Sequence, residues 1–90
     1  MSKATRKLEK IAKGFANHRR IEILALLEQR PGLSGFEISD ILGVNFKTIS
    51  EHTRRLAIPG LVSKTNMGAA VEHRITPLGR QVLKFLRTLE

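Results

Sequence analysis

The sequence predicts a mainly α-helical fold with a small β-hairpin: a three-helix core plus the hairpin, with an extra helix at each end. Apolar residues recur at intervals of three and four in five segments, which is the period of amphipathic helices. Two of these segments are separated only by a short turn at Gly43. From Ala70 to Thr76, apolar and polar side chains alternate instead, which is the period of a strand. The length allows one domain over residues 1–90.

The first predicted helix spans residues 3–14 of a basic segment, 1–14. Leu8, Ile11 and Phe15 share its apolar face. Gly14 is expected to loosen or end it, because glycine often follows the last turn of a helix. The opposite face carries Lys3, Arg6, Lys7, Lys10 and Lys13.

The second predicted helix follows Asn17, whose side chain can accept hydrogen bonds from the first unpaired amides. Pro31 and Gly32 end it. Its apolar arc is wide, so we expect it to be the central helix, packed on two sides. This arc consists of Ile21, Ile23, Leu24, Leu26 and Leu27.

Residues 34–57 predict two short helices joined by a tight turn. Ser34 and Glu37 have the spacing of a capping box. Gly43 can end the first helix with a positive φ at little cost, and Asn45 can cap the second. The side chains expected to face inward are Phe36, Ile38, Ile41, Leu42, Ile49, Thr53 and Leu56.

Residues 61–76 predict a β-hairpin with two short strands, 61–65 and 70–76, around a glycine-containing loop at 66–69. Following three helices, this hairpin completes a winged helix-turn-helix, in which it is the wing. A last helix, 77–90, then carries an apolar stripe.

The composition narrows the classes of function. Sixteen Lys and Arg against eight Asp and Glu give a net charge of +8, which favours an anionic partner, most often nucleic acid. Without cysteine, disulfides, thiolate metal sites and thiol catalysis are excluded. The sequence has no catalytic motif or phosphate loop, and His18, His52 and His73 lack metal-ligand spacing. We expect no enzymatic activity, no cofactor and no metal.

No apolar run approaches the roughly 18 residues of a membrane span, and the first residues lack the apolar core of a secretory signal. We therefore expect a cytoplasmic protein without a membrane partner. The basic face of the first helix is expected to be solvated or to lie beside bound DNA.

Three segments carry a family resemblance: FANHRRIEILALL, ISDILGVNFKTISEHTRRLAIPGLVSK and HRITPLGRQVL. Together they resemble a winged-helix transcriptional regulator of the ArsR type over residues 15–83. The last segment is equally similar to the MarR and PadR regulators. The resemblance implies a homodimer that binds double-stranded operator DNA, with recognition helices in successive major grooves and wings against the backbone or minor groove.

The sequence departs from the family pattern in two respects. The best known ArsR proteins sense metals through cysteines near the recognition motif or through carboxylate and histidine pairs on the last helix. This chain has no cysteine, and its last helix has no histidine, so metal sensing is not expected. Thr53 stands where the pattern usually has Leu, and Ile58-Pro59-Gly60 replaces an acidic residue, Ala and Gly. These replacements could shorten the recognition helix or loosen its packing.

The recognition helix offers polar side chains that suit the major groove. Lys47 can donate to guanine O6 or N7, and Thr48 and Ser50 can reach bases or phosphates. Alternatively, Lys47 is solvated and Thr48 only assists the cap. Glu51 can accept from cytosine N4 or pair with Arg55 four residues later. The candidate DNA-binding residues of this helix are Lys47, Thr48, Ser50, Glu51, Arg54 and Arg55.

The wing and the terminal helices supply the remaining candidates. Lys64, Asn66 and Arg74 can meet phosphates or the minor groove, although a purely structural wing is an open alternative. The stripe of the last helix must be covered by the first helix or by a second copy of the chain. We expect a homodimer, with half-sites about 34–36 Å apart. Its interface candidates are Leu8, Ile11, Phe15, Leu78, Val82, Phe85, Leu86 and Leu89.

Two other functions are open on the sequence: a winged-helix protein–protein interaction module without specific DNA binding, and RNA binding. The second is weaker, because the chain has no Tyr or Trp to form a stacking platform. Of its four phenylalanines, Phe15, Phe36, Phe46 and Phe85, three are expected to be buried.

Overall fold

The computed structural model describes residues 2–90, and its order of elements is the predicted one with a strand added. The elements are α1 Lys3–Phe15, α2 His18–Gln29, β1 Leu33–Ser34, α3 Gly35–Leu42, α4 Phe46–Ala57, β2 Val62–Met67, β3 Ala70–Ile75 and α5 Pro77–Arg87. The predicted winged helix-turn-helix is confirmed: α2, α3 and α4 form the three-helix core, and β2 and β3 form the wing. Within residues 2–90, no helix is long and apolar enough to span a membrane.

α1 does not end at its glycine. Ser2 caps its start, with Oγ accepting from the amide nitrogen of Thr5 at 3.1 Å. The helix then continues through Gly14 to Phe15. Gly14 is buried, and a Cβ atom at this position would lie 2.5 Å from Cγ of Pro59. The glycine is therefore a site of close packing against the segment after α4, and not a helix stop.

α2 is the central helix, as its wide apolar arc predicts. The side-chain oxygen of Asn17 accepts from the amide of Arg19 at 2.9 Å and caps the first turn. Ile23, Leu24 and Leu27 have no exposed surface, and the helix contacts α1, α4, α5 and β3. Burial of one such side chain stabilises a fold by about 1.5–3 kcal/mol, so these residues anchor the domain.

The helix-turn-helix has the caps that the sequence predicts. Ser34 Oγ accepts from the Glu37 amide at 3.1 Å, while the Glu37 carboxylate accepts from the Ser34 amide at 2.9 Å. Gly43 has a φ of 65°, a conformation that costs glycine little. Asn45 Oδ1 accepts from the Lys47 amide at 2.8 Å and starts α4.

The unusual residues of α4 neither shorten the helix nor loosen its packing. Thr53 is buried together with Ile49 and Leu56. Its hydroxyl donates to the carbonyl oxygen of Ser50 at 3.1 Å, so the buried polar group has a partner. Pro59 lies beyond the last helical residue and does not interrupt the backbone hydrogen bonds.

Two of the side chains expected to face inward from α3 are exposed. Ile38 is buried, but Phe36 and Ile41 are 65% and 41% exposed. A helix of eight residues presents only a narrow inner face, which Ile38 and the half-buried Leu42 fill. Phe36 lies on the surface and stacks on Phe46, with ring centroids 4.1 Å apart and the planes at 7°. The predicted burial of most phenylalanines is therefore wrong.

The sheet has three antiparallel strands in the order β1-β3-β2, one more than predicted. β1 is only two residues long, and its Leu33 and Ser34 pair with His73 and Glu72 of β3. Two residues are too short to show a period, so alternation of side chains could not predict this strand.

The turn of the wing is tighter than predicted, because β2 continues to Met67 and does not end at residue 65. β2 and β3 pair over their whole length, from the Val62–Ile75 pair to the Met67–Ala70 pair. The turn between them contains only Gly68 and a neighbouring alanine, so the predicted four-residue loop is too long. Gly68 has a φ of 67°, which suits a tight hairpin turn.

The rest of the chain covers only one side of the apolar surface of α5. Thr76 caps its first turn, with the side-chain oxygen accepting from the Gly79 amide at 3.0 Å, and the helix ends at Arg87, before the predicted residue 90. Leu83, which the predicted stripe omits, is 3% exposed and belongs to the core. Gly79 is also buried. A Cβ atom there would overlap the carbonyl oxygen of Leu61, so only glycine allows this close approach. Phe85 and Leu89 are instead 57% and 68% exposed.

Candidate nucleic-acid interface

α4 has one packed face and one exposed polar face. Ile49, Thr53 and Leu56 are buried and hold the helix against the core. All six predicted recognition residues lie on the exposed side: Lys47, Thr48, Ser50, Glu51, Arg54 and Arg55. The packing thus orients a hydrophilic helical surface that the chain itself does not cover.

The middle of this surface is a cluster of one carboxylate and two guanidinium groups. Glu51 Oε1 accepts from Arg54 Nη2 at 2.7 Å and from Arg55 Nε at 3.0 Å, and Oε2 accepts from Arg54 Nε at 3.0 Å. The hydrogen bonds from Arg54, and then those from Arg55, lower the pKa of Glu51 to about 2. The predicted pairing of Glu51 with Arg55 is present, and Arg54 joins it. Both arginines therefore converge on one carboxylate.

Among residues 2–90, no ion pair involves the first turn of α4. The capping oxygen belongs to Asn45, so Thr48 is not required for the cap. Lys47, Thr48 and Ser50 are exposed. In helix-turn-helix proteins, the first turns of the recognition helix approach the base edges, and this part of α4 offers one cation and two hydroxyl groups.

The wing separates its predicted residues onto two faces. Lys64 is opposite His73 in the ladder, and Asn66 is opposite Val71. Because side chains alternate across a strand, Lys64 and Asn66 share the face that, with Ser50 of α4, lines a cleft. Arg74 lies on the other face, where its Nη2 donates to Glu72 Oε1 at 3.2 Å.

A residue that the sequence did not reveal, Arg20 of α2, connects three helices. Its Nη1 donates to the carbonyl oxygens of Lys13 at 3.1 Å and Gly14 at 3.3 Å, at the end of α1. Its Nε donates to Nδ1 of His52 on α4 at 3.2 Å. Because a guanidinium only donates, His52 Nδ1 is the acceptor of this bond. Burial, and then the charge of Arg20, lower the pKa of His52. This contact joins residues 32 positions apart, which local spacing cannot predict.

The other histidines also have structural surroundings. His73 Nδ1 lies 3.0 Å from the carbonyl oxygen of Leu33 and therefore carries the hydrogen of that bond, since a carbonyl only accepts. Desolvation by burial lowers the pKa of His73. His18 is exposed in the first turn of α2. Among residues 2–90, no three potential metal-ligating side chains lie together.

Three solved structures are similar to almost the whole chain. The homodimeric winged helix-turn-helix DNA-binding domain of Mb0332 from Mycobacterium bovis, a possible ArsR-family regulator, has a TM-score of 0.86 at 24% identity, covering 99% of this chain and 86% of its own. HlyU from Vibrio cholerae has a TM-score of 0.84 at 28% identity, covering 99% and 97%. An ArsR-like transcriptional regulator from Rhodococcus has a TM-score of 0.76 at 25% identity, covering 98% and 80%.

The family comparison agrees with these folds. No curated protein matches the chain. The family model of bacterial regulatory proteins of the arsR family matches residues 17–64, from the cap of α2 to the middle of β2. This match spans more than half of the 90 residues and includes the complete helix-turn-helix. The chain therefore belongs to the ArsR family of bacterial regulatory proteins.

Proposed function

We propose that the protein is a sequence-specific, double-stranded DNA-binding transcriptional regulator that acts as a homodimer. The observation that carries this proposal is the exposed polar face of α4, which the buried Ile49, Thr53 and Leu56 hold against the core. The net charge of +8 adds a long-range attraction for the phosphate backbone. A regulator of this kind works in the cytoplasm, where bacterial DNA lies.

The first turns of α4 read the bases in this proposal. Lys47 donates to guanine in the major groove, and Thr48 and Ser50 contact bases or phosphates. Glu51 positions Arg54 and Arg55 near the strand and offers its carboxylate to cytosine N4. The short distances between these three side chains support a shared role, because moving one changes the other two.

Lys64 and Asn66 are the proposed wing contacts. They lie on the same side of the wing as the cleft beside α4, so one duplex can meet both the helix and this face. Arg74 lies on the outer face and already pairs with Glu72. We therefore expect it to contribute less to DNA binding than Lys64.

The proposed dimer uses the apolar surface that α1 and α5 leave exposed. Its most exposed members are Leu8, Phe85 and Leu89. Exposed apolar side chains on these two helices and just beyond α5 suit a symmetric contact between copies. The similar domain from Mycobacterium bovis is a homodimer. The full set of proposed interface residues is Leu8, Ile11, Phe15, Leu78, Val82, Phe85, Leu86 and Leu89.

Selection of bound sequences from random duplex DNA tests DNA binding and symmetry together. We expect enrichment of a palindrome, because the dimer has two-fold symmetry, with half-sites about 10 base pairs apart, which is one turn of the DNA helix. Binding of duplexes without any enriched sequence would contradict sequence-specific recognition. No binding of duplex DNA even at low salt would favour a protein–protein interaction module.

A further inference from the structure

A cleft of about 440 Å³ lies between the recognition helix and the wing. This volume is in the range of small-molecule sites, about 300–1,000 Å³. The cleft lies where both proposed DNA-binding elements meet, so any occupant would touch side chains that the duplex also needs.

One side of the cleft is aromatic. The stacked rings of Phe36 and Phe46 lie at its wall, and both are exposed, Phe46 by 40%. Gly35 permits this arrangement, because a Cβ atom there would lie 2.9 Å from Cε2 of Phe46. Water covers these rings at a cost in free energy, and a flat apolar group could replace that water.

The other side of the cleft carries a cation without a counter-charge. Lys64 forms no ion pair within 4.0 Å with any carboxylate of residues 2–90, unlike Arg54, Arg55 and Arg74. Partial burial, and then the charge of Arg54, lower the pKa of Lys64. An anion in the cleft would relieve both effects. Ser50 adds a hydroxyl group to the same wall.

We propose that this cleft binds a small organic anion with one flat apolar ring, and that the bound anion excludes DNA. The ring contacts Phe36 and Phe46, and the negative group pairs with Lys64. A neutral ligand would leave Lys64 without a counter-charge, and inorganic phosphate would leave both rings in water. The exclusion of DNA rests on the proposed function, because Ser50 and Lys64 are proposed DNA contacts.

Benzoate and benzamide are suitable probes, since they have the same size and differ in charge. In NMR titrations of the full chain, we expect saturable shifts at Phe36, Phe46 and Lys64 with benzoate. The dissociation constant should be on the order of millimolar, as befits so small a ligand. Benzamide should bind about tenfold more weakly, because it lacks the charge-assisted contact. Unsaturable shifts, or equal affinity for both probes, would overturn the site.

Two variants examine the two halves of the site. Lys64→Met keeps the apolar stem and should abolish the preference for benzoate, while Lys84→Met on α5 should leave it unchanged. Phe36→Leu keeps an apolar side chain without the flat ring, and should weaken both probes by a similar factor. If Lys64→Met still prefers benzoate to benzamide, the anion pairs with another cation and the proposed role of Lys64 is wrong.

Competition connects the site to DNA. At equal ionic strength, saturating benzoate should weaken binding of a selected duplex at least about fivefold relative to acetate, because both ligands need Lys64. Equal affinity in the two salts would overturn the exclusion of DNA. If the chain binds benzoate as predicted but no duplex, the anion site stands and the proposed function, with its competition, fails.

Discussion

α4 and α5 are both amphipathic helices, but their outer faces differ. α4 buries Ile49, Thr53 and Leu56 within its own chain and exposes charged and hydroxyl side chains, together with Phe46 in its first turn. α5 buries Leu83 and leaves Phe85 in solvent, and Leu89, just beyond the end of the helix, is exposed as well. The same helical period therefore exposes polar groups on α4. On α5, in our proposal, it exposes apolar groups through which two copies associate.

The width of the apolar stripe explains the difference. On α4, the core covers Ile49, Thr53 and Leu56, and the exposed Phe46 stacks on Phe36 of the same chain. On α5, Leu83 faces the core, whereas Phe85 lies exposed on the helix surface and Leu89 lies exposed just beyond its end. Apolar surface that the rest of the chain leaves exposed indicates an interface. An apolar stripe in the sequence does not indicate one by itself.

The largest expected effect comes from the buried strip of α5. Leu83→Ala should lower the free energy of unfolding by about 2–4 kcal/mol, because it leaves a cavity in the core. Ile58→Ala removes a similar aliphatic volume at a half-exposed position outside the proposed interface, and should cost less than about 1 kcal/mol. Urea denaturation measures both, and equal losses would contradict the assignment of Leu83 to the core.

The exposed strip should control association instead. Phe85→Asp should raise the dimer dissociation constant at least about thirtyfold, because it removes an aromatic contact and buries an unpaired charge. Lys84→Asp places the same carboxylate one residue earlier, on the charged side of α5, and should change the constant little. Sedimentation measures both constants. A Phe85→Asp variant that remains as dimeric as the parent would exclude this strip from the interface.

On α4, the exposed face should control specificity. Lys47→Ala and Arg54→Ala should each weaken binding of a selected operator by about 1–3 kcal/mol, with a smaller loss for random duplex. Arg74→Ala, on the outer face of the wing, is the matched control and should have a smaller effect on both. Fluorescence anisotropy gives the two affinities. Unchanged operator binding by both α4 variants would show that α4 is not the reading helix.

Glu51 should restrain binding to random DNA. Glu51→Gln frees two arginines from one carboxylate, so the log–log salt dependence of random-duplex binding should steepen by about 0.9 for each arginine that gains a phosphate contact. Glu72→Gln frees Arg74 on the outer face of the wing and should leave the slope unchanged. A slope that rises equally in both variants would mean that net charge alone, and not the α4 cluster, sets the salt dependence.

The smallest expected effect is a pH dependence of the same cluster. The pKa of Glu51 is lowered from 4.5 to about 2 by its arginine partners. Its contribution to stability is therefore fully present above pH 4.5 and is lost as the pH falls towards 2. Because these side chains are exposed, the effect should be weak. Thermal unfolding between these values should show a slightly steeper loss for the parent than for Glu51→Gln.

Local features of the fold were predictable from the sequence. Asn17, Ser34 with Glu37, and Asn45 cap helices through hydrogen bonds that span two or three residues. The position of α4 could be predicted for the same reason, because its cap and the spacing of its inward-facing residues are both local features. The six candidate residues of α4 are exposed as a consequence of that period.

Features that depend on distant residues escaped prediction. β1 is a strand through its pairing with β3, and Gly14 leaves the space in which Pro59 packs against α1. Phe36 has the right period for burial, but the inner face of α3 is too narrow for it. Arg20 contacts His52 because packing places α2 beside α4.

The sequence by itself determined the helices, their caps, the wing and the polar face of α4, because hydrogen bonds and side-chain periods act over a few residues. The tertiary structure alone decided which strip of α5 is covered, which face of the wing carries Lys64, and that Phe36 and Phe46 border a cleft. These outcomes depend on how much apolar surface neighbouring elements can cover, and that area is set only when the elements pack.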